Sequence, residues 1–138
     1  MIKVVLFDYN GVLSKMLVPQ RQLIDLAKIL KTKGIQPAIF SNVLIAGGKA
    51  LDALGFFKAF DPVILARHHN YRKPHPSVYE HAVQLLGVKP NEIVFIDNLS
   101  ENLVPAQELG MHIIHAKSTP QVAADIKNLL KKQNGLQL

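Results

Sequence analysis

Five short apolar runs recur along the chain, and the stretches between them carry helical spacing. The runs at Val4–Phe7, Ala38–Phe40, Val63–Leu65, Ile93–Ile96 and Ile113–Ile114 are continuous, not alternating in polarity. A strand with one wet face alternates, so continuous runs fit strands covered on both faces, as in a parallel sheet. The intervening stretches follow the other period. Leu23, Leu26, Ala27 and Leu30 fall at i, i+3, i+4 and i+7, with Pro19 near the start and Gly34 past the end. Further helices are predicted over Leu44–Leu54, from Pro76 to a stop at Gly87, and over Asn102–Leu109 with a stop at Gly110. In that third case Pro105 has to lie in the first turn. A last helix opens with Thr119 as N-cap and Pro120 at the first helical position, and carries Val122, Ile126, Leu129 and Leu130. Strands and helices in alternation predict an α/β fold, a three-layer sandwich.

Composition narrows the class. A chain of 138 residues suits one domain spanning 1–138, able to bury roughly two-thirds of its unfolded surface. With 49% hydrophobic and 19% charged residues it is too apolar to stay disordered. Zero cysteines exclude a disulfide scaffold and a thiolate metal site. No apolar run approaches the roughly 18 residues of a membrane span. Met1-Ile2-Lys3 leads straight into the first run, so the expectation is a cytoplasmic protein without a signal peptide. The net charge of +6 permits attraction to anions. Its basic residues are dispersed, however, and the groups Lys28, Lys31, Lys33 and Lys127, Lys131, Lys132 fit solvated helix faces, so nucleic-acid binding is the weaker reading.

The residues that end the apolar runs are polar. The first run ends at Asp8, the second at Ser41 and the fourth at Asp97. Ligands of such sheets bind beyond the carboxyl ends of the strands, where strand order reverses, so these three groups share one rim. Two carboxylates from different strands repel unless a cation or proton lies between them, and Mg²⁺ accepts one or two carboxylates with water and substrate. Asp8 beside such an ion suits a carboxylate nucleophile attacking a phosphoryl group. Ser41 can donate to a phosphoryl oxygen, and Lys73, stiffened by Pro74, can neutralise its charge.

These residues resemble a known family. Asp8-Tyr9-Asn10-Gly11-Val12-Leu13 is similar to the first motif of the haloacid dehalogenase superfamily, D-x-D-G-[TV]-[LV]. Ile39-Phe40-Ser41-Asn42 resembles the second, Arg72-Lys73-Pro74-His75-Pro76 the third, and Ile96-Asp97-Asn98 with Glu101-Asn102 the fourth. Four motifs in order cover almost the whole chain. The resemblance implies a five-stranded parallel Rossmann-like sheet and a Mg²⁺-dependent phosphatase-like hydrolase. It makes Asp8 the nucleophile that becomes an aspartyl-phosphate, with Ser41, Asn42 and Lys73 binding the phosphoryl group. Asp8, Asp97 and the backbone carbonyl of Asn10 are then the metal ligands.

Departures from the family pattern bear on the chemistry. The second aspartate of the first motif, which protonates the leaving group and activates water, is Asn10 here, and an amide cannot carry that proton. General acid–base help is typically worth about 10²–10⁴-fold. Asn98 stands where the family often has a second aspartate, removing one negative charge. About 30 positions separate Asn10 from Ser41, and about as many separate Ser41 from Lys73, too few for a cap domain. An open rim suits a large, macromolecular phosphorylated substrate, or a homodimer whose second copy acts as lid. The alternative to a weakened hydrolase is a binding or regulatory module that keeps the phosphate and metal site with little turnover. Dehalogenation is disfavoured, because in the family it uses cap residues to cradle the halide. Gly47-Gly48-Lys49-Ala50 fails as a P-loop, since Val43 and Ala50 stand where glycine and Ser or Thr are required. His68, His69 and His75 read as surface residues, Phe56, Phe57 and Phe60 as core, and Tyr9 and Tyr71 as candidates for lining the opening.

Overall fold

The computed structural model of the chain describes residues 1–43, 45, 53 and 55–138. In chain order its elements are β1 (Val4–Phe7), a small hairpin of β2 (Ser14–Lys15) and β3 (Val18–Pro19), α1 (Arg21–Thr32), β4 (Gln36–Ser41) and the short α2 (Phe56–Ala59). There follow β5 (Val63–Leu65), a second hairpin of β6 (Arg67–His68) and β7 (Tyr71–Arg72), and α3 (Pro76–Leu86). A 3₁₀ turn at Pro90–Glu92 leads into β8 (Ile93–Asp97), α4 (Ser100–Leu109), β9 (His112–His115) and α5 (Thr119–Asn134).

All five apolar runs become strands of one parallel sheet in the order β5-β4-β1-β8-β9. Strand parity sorts the side chains between two layers. Val5 and Phe7 of β1 pack with Leu23, Leu26, Ala27, Val122 and Ile126 of α1 and α5. Val4 and Leu6 pack instead with Tyr79, Ala82, Leu103 and Ala106 of α3 and α4. Both parities are buried, which is why the runs are continuous. The chain leaves β1 for β4 on one side and, after β5, crosses to β8 on the other. Strand order therefore reverses between β1 and β8, directly below Asp8 and Asp97. From Asn10 to Ser41 the chain makes only the first hairpin and α1 before β4. From Ser41 to Lys73 the described residues make α2, β5 and the second hairpin, so among them no cap covers the strand ends. Among the described residues no helix is long and apolar enough to cross a membrane.

Several boundaries differ from expectation for local reasons. α4 begins at Ser100, two residues early, because Asp97 Oδ1 accepts from the Leu99 N–H and turns the chain into the helix. Pro105 is consequently past the first turn, and its missing N–H leaves the Glu101 carbonyl without an intrahelical bond. The Tyr79 hydroxyl donates to the adjacent Asn102 carbonyl, linking α3 to this weakened turn. α5 is capped by Ser118, not Thr119, in a capping box with Gln121. α1 opens after Gln20, because Pro19 belongs to β3. The helix expected over Leu44–Leu54 and the Gly47–Ala50 stretch lie outside the described residues, save Ile45 and Ala53. Phe56 and Phe60 are core as expected, whereas Phe57 is partly exposed.

Phe95, fully buried, packs edge-to-face against Phe40 and Tyr79 with ring centroids 5.8 and 6.0 Å away. Phe95→Ala is expected to cost about 3–5 kcal/mol in urea unfolding, because it leaves a cavity where a fully buried ring packs against two others.

Candidate active site

β1 and β8 pair with Phe7 opposite Ile96, so the next residues, Asp8 and Asp97, leave the sheet side by side. Parallel neighbours lie about 4.8 Å apart, and two carboxylates that close need a positive partner. Lys73 supplies it. Its ammonium donates to Asp8 Oδ1 (3.0 Å), Asp97 Oδ2 (3.2 Å) and the Phe40 carbonyl (2.8 Å), using all three protons. The ammonium also lies 5.2 and 5.3 Å from the ring centroids of Phe40 and Phe95. Lys73 is 4% exposed, Asp8 8% and Asp97 not at all, so the triad is buried.

The shell around the triad holds it in place. The Lys73 N–H donates to Asn42 Oδ1 at 3.0 Å, and Asn42 Nδ2 donates back to the Lys73 carbonyl at 3.2 Å. Asn42, predicted to bind phosphate, thus grips the backbone of the lysine with both ends of its amide. Asp97 Oδ2 accepts a further bond from Asn102 Nδ2 at 3.1 Å, and Oδ1 accepts from the Leu99 N–H at 2.9 Å. The sequence placed Asn102 in the fourth motif without a role, and this bond gives it one. Ser41 is brought to the same rim and is buried, and its hydroxyl exchanges hydrogen bonds with the Val43 carbonyl (2.9 Å) and N–H (3.3 Å).

Lys73 occupies one oxygen of each carboxylate. The remaining two, Asp8 Oδ2 and Asp97 Oδ1, face the end of the Asn98 side chain at 3.3 and 3.2 Å. With its amide nitrogen placed there, Asn98 donates to both. With its amide oxygen there, three oxygens converge, and two carboxylates with neutral oxygens and water form a donor set that Mg²⁺ accepts. Gly11 makes this approach feasible: a Cβ there would lie 2.5 Å from Asn98 Nδ2, and its φ of +90° also favours glycine. Asn10 is exposed on the rim, bridged through its backbone to Ser14. Among the described residues no three His, Cys, Asp or Glu are grouped to hold a metal, which leaves the two-carboxylate arrangement.

Other sequence candidates go elsewhere. Tyr9 is buried edge-to-face on Phe56, 5.8 Å between centroids, and does not line the opening. Tyr71 is half exposed and stacks on His75, whose Nδ1 accepts from the Ser77 N–H and caps α3. His68 packs against His69 and His81.

Burial pushes the Asp8 carboxyl up from its ordinary 3.8 to about 6. The Lys73 charge opposes that rise, and the Asp97 charge adds to it. Burial, then the charges of Asp97 and Asp8, also push the Tyr79 hydroxyl up.

Comparison with known proteins places the chain in a family. The model of the haloacid dehalogenase-like hydrolases matches residues 16–110. The chain belongs to that family. The mouse bifunctional epoxide hydrolase 2 is 30% identical to it over 118 residues, covering 82% of this chain and 21% of the relative. The glyceraldehyde 3-phosphate phosphatase of Methanothermobacter thermautotrophicus is 31% identical over 91 residues, covering 64% of this chain and 40% of the relative. The chain therefore spans between a fifth and two-fifths of the length of these two relatives. A solved haloacid dehalogenase family enzyme from Bacteroides thetaiotaomicron, in complex with magnesium and inorganic phosphate, shares the fold with a TM-score of 0.68 at 17% identity. That alignment covers 85% of this chain and 95% of the other.

The elevated Asp8 carboxyl makes a prediction about stability in chelator. Its folded value lies above its unfolded value, so the folded state binds the proton more tightly and ionised Asp8 is destabilising. The cost is full above about pH 6, fades as pH falls from 6 towards 3.8, and is absent below. Asp8→Asn removes it while Lys73 keeps Asp97 and the Phe40 carbonyl. The variant is expected to melt above wild type at pH 7.5, with the gap closing near pH 4, as followed by circular dichroism.

Proposed function

We propose that this chain is a Mg²⁺-dependent phosphohydrolase with Asp8 as nucleophile and weakened acid–base assistance. The placement of Asp8 carries this reading: a carboxylate held by a buried ammonium, at the reversal of strand order, beside a second carboxylate and Ser41. A phosphatase among the relatives, and the fold neighbour's complex with magnesium and inorganic phosphate, support the same class.

In this reading ionised Asp8 attacks phosphorus. A bond forms from its carboxylate oxygen as the bond to the leaving oxygen breaks, giving an aspartyl-phosphate. Water then attacks phosphorus, inorganic phosphate departs and the carboxylate is restored. The Ser41 hydroxyl, turned from Val43, and Lys73, releasing one of its three hydrogen bonds, bind the phosphoryl oxygens, and Asn42 holds Lys73 and contributes at the same rim. Asp8, Asp97 and the Asn10 carbonyl, with Asn98 beside them, would hold Mg²⁺, which neutralises charge on the phosphoryl oxygens when bound. Lys73 keeps Asp8 ionised near neutral pH against the effect of burial.

Asn10 limits the reaction. A poor leaving group departs as an alkoxide unless it is protonated, and the Asn10 amide has no proton to give. The same residue favours a second reading, a module that binds phosphate with little turnover. Wild type is expected to hydrolyse an activated aryl phosphate only with Mg²⁺, and Asp8→Asn not at all. Asn10→Asp is expected to raise turnover of an alkyl phosphate by up to about 10²–10⁴-fold, with a smaller gain on the aryl ester. Binding without turnover on both esters, in both proteins, would favour the module. Hydrolysis surviving in Asp8→Asn would remove the nucleophile from the account.

A further inference from the structure

Asn10 and Asn98 also line a cavity of about 670 Å³. Its walls come from three segments distant in sequence. Lys15, Met16 and Leu17 belong to the first hairpin, and Lys117 to the loop between β9 and α5. Among the described residues neither the Lys15 nor the Lys117 ammonium forms a salt bridge. Two unpaired ammoniums on one cavity repel, and an anion between them relieves that repulsion.

The hairpin tip is a second, independent observation. Ser14 pairs with Pro19 and Lys15 with Val18, so Met16 and Leu17 are the two-residue loop. Both have positive φ, 49° and 65°. That is the geometry of a type I′ turn, where Asn-Gly is the unstrained choice. Here two bulky apolar residues occupy it, 98% and 85% exposed. Strain and exposed apolar surface together are unfavourable for folding alone and mark a contact surface.

We propose that this cavity is a second-anion subsite. The substrate then carries its phosphoryl group at Asp8, an apolar stretch against Met16 and Leu17, and a second anionic group between Lys15 and Lys117. This rests on the phosphohydrolase reading for which end of the substrate reacts. The charge complementarity is specific to a substrate with two anionic ends, and a phosphate or a carboxylate would serve at the second.

The test is calorimetric titration of the intact protein in Mg²⁺ buffer with phosphonates, which cannot be hydrolysed. Three probes share one chain: propylphosphonate, its counterpart with a phosphonate on the far carbon, and its counterpart with a carboxylate there. The same three head-group sets on a hexyl chain cover a longer span. The two-ended probes are expected to bind about tenfold or more tightly than the one-ended probe. The ratio of the two head groups tells a phosphate from a carboxylate. Lys15→Ala with Lys117→Ala is expected to abolish the preference. Met16→Asn with Leu17→Gly is expected to raise the melting temperature while weakening all hexyl probes. Equal affinity for one- and two-ended probes at both chain lengths, or a preference that survives in the double lysine variant, would overturn the subsite. Loss of hydrolysis with the preference intact would overturn only the reaction.

Discussion

The Lys73 ammonium between Asp8 and Asp97 is the interaction on which the carboxyl-terminal rim of the sheet depends. Parallel register forces the two carboxylates together, and burial denies them water. Without a cation the pair would be held at high cost, since removing one partner of a buried ion pair typically costs about 3–5 kcal/mol. Much of the surrounding sequence serves to hold that one charge. The Phe40 carbonyl takes its third proton, the rings of Phe40 and Phe95 lie beside it, and Asn42 clamps its backbone. The ion triad is therefore joined to the hydrophobic layer under α3 and α4, not set on top of it.

Its charge balance shapes the chemistry. Asp8, Asp97 and Lys73 leave one net negative charge, and the two positions where the family pattern puts further carboxylates carry the neutral amides of Asn10 and Asn98. Asn98 can bridge both carboxylates as a donor or turn its oxygen to a cation. The cost falls on proton transfer, because neither amide can shuttle a proton. In the proposed reaction this would favour leaving groups that depart unaided, and the cavity lined by Lys15, Lys117 and the hairpin tip lies beside Asn10 and Asn98.

The strands and the rim were legible in the sequence because burial on both faces writes an unbroken apolar run, and the first polar residue after each run marks its end. Asp8, Ser41 and Asp97 lie where that logic puts them. What the sequence concealed were contacts between segments far apart. Asn42 reaches across 31 positions to Lys73, and its amide reads equally well as a phosphate ligand. The packing of Asn98 on Gly11 depends on a positive φ that a motif glycine only hints at. Tyr9 follows Asp8 and looks solvent-facing, yet strand parity carries it into the core against Phe56. The first hairpin escaped notice because Met16-Leu17 lacks the turn chemistry that announces such a loop.

If Asp8 is the nucleophile, it carries the phosphoryl group during turnover. The most direct measurement is acid quench of wild type during hydrolysis of an aryl phosphate with Mg²⁺, followed by peptide mass spectrometry. The account predicts a peptide containing Asp8 heavier by one phosphoryl group, absent without Mg²⁺ and absent in Asp8→Asn. Rapid hydrolysis with the Asp8 peptide unmodified at every quench time, and the phosphoryl group found on another residue, would contradict it.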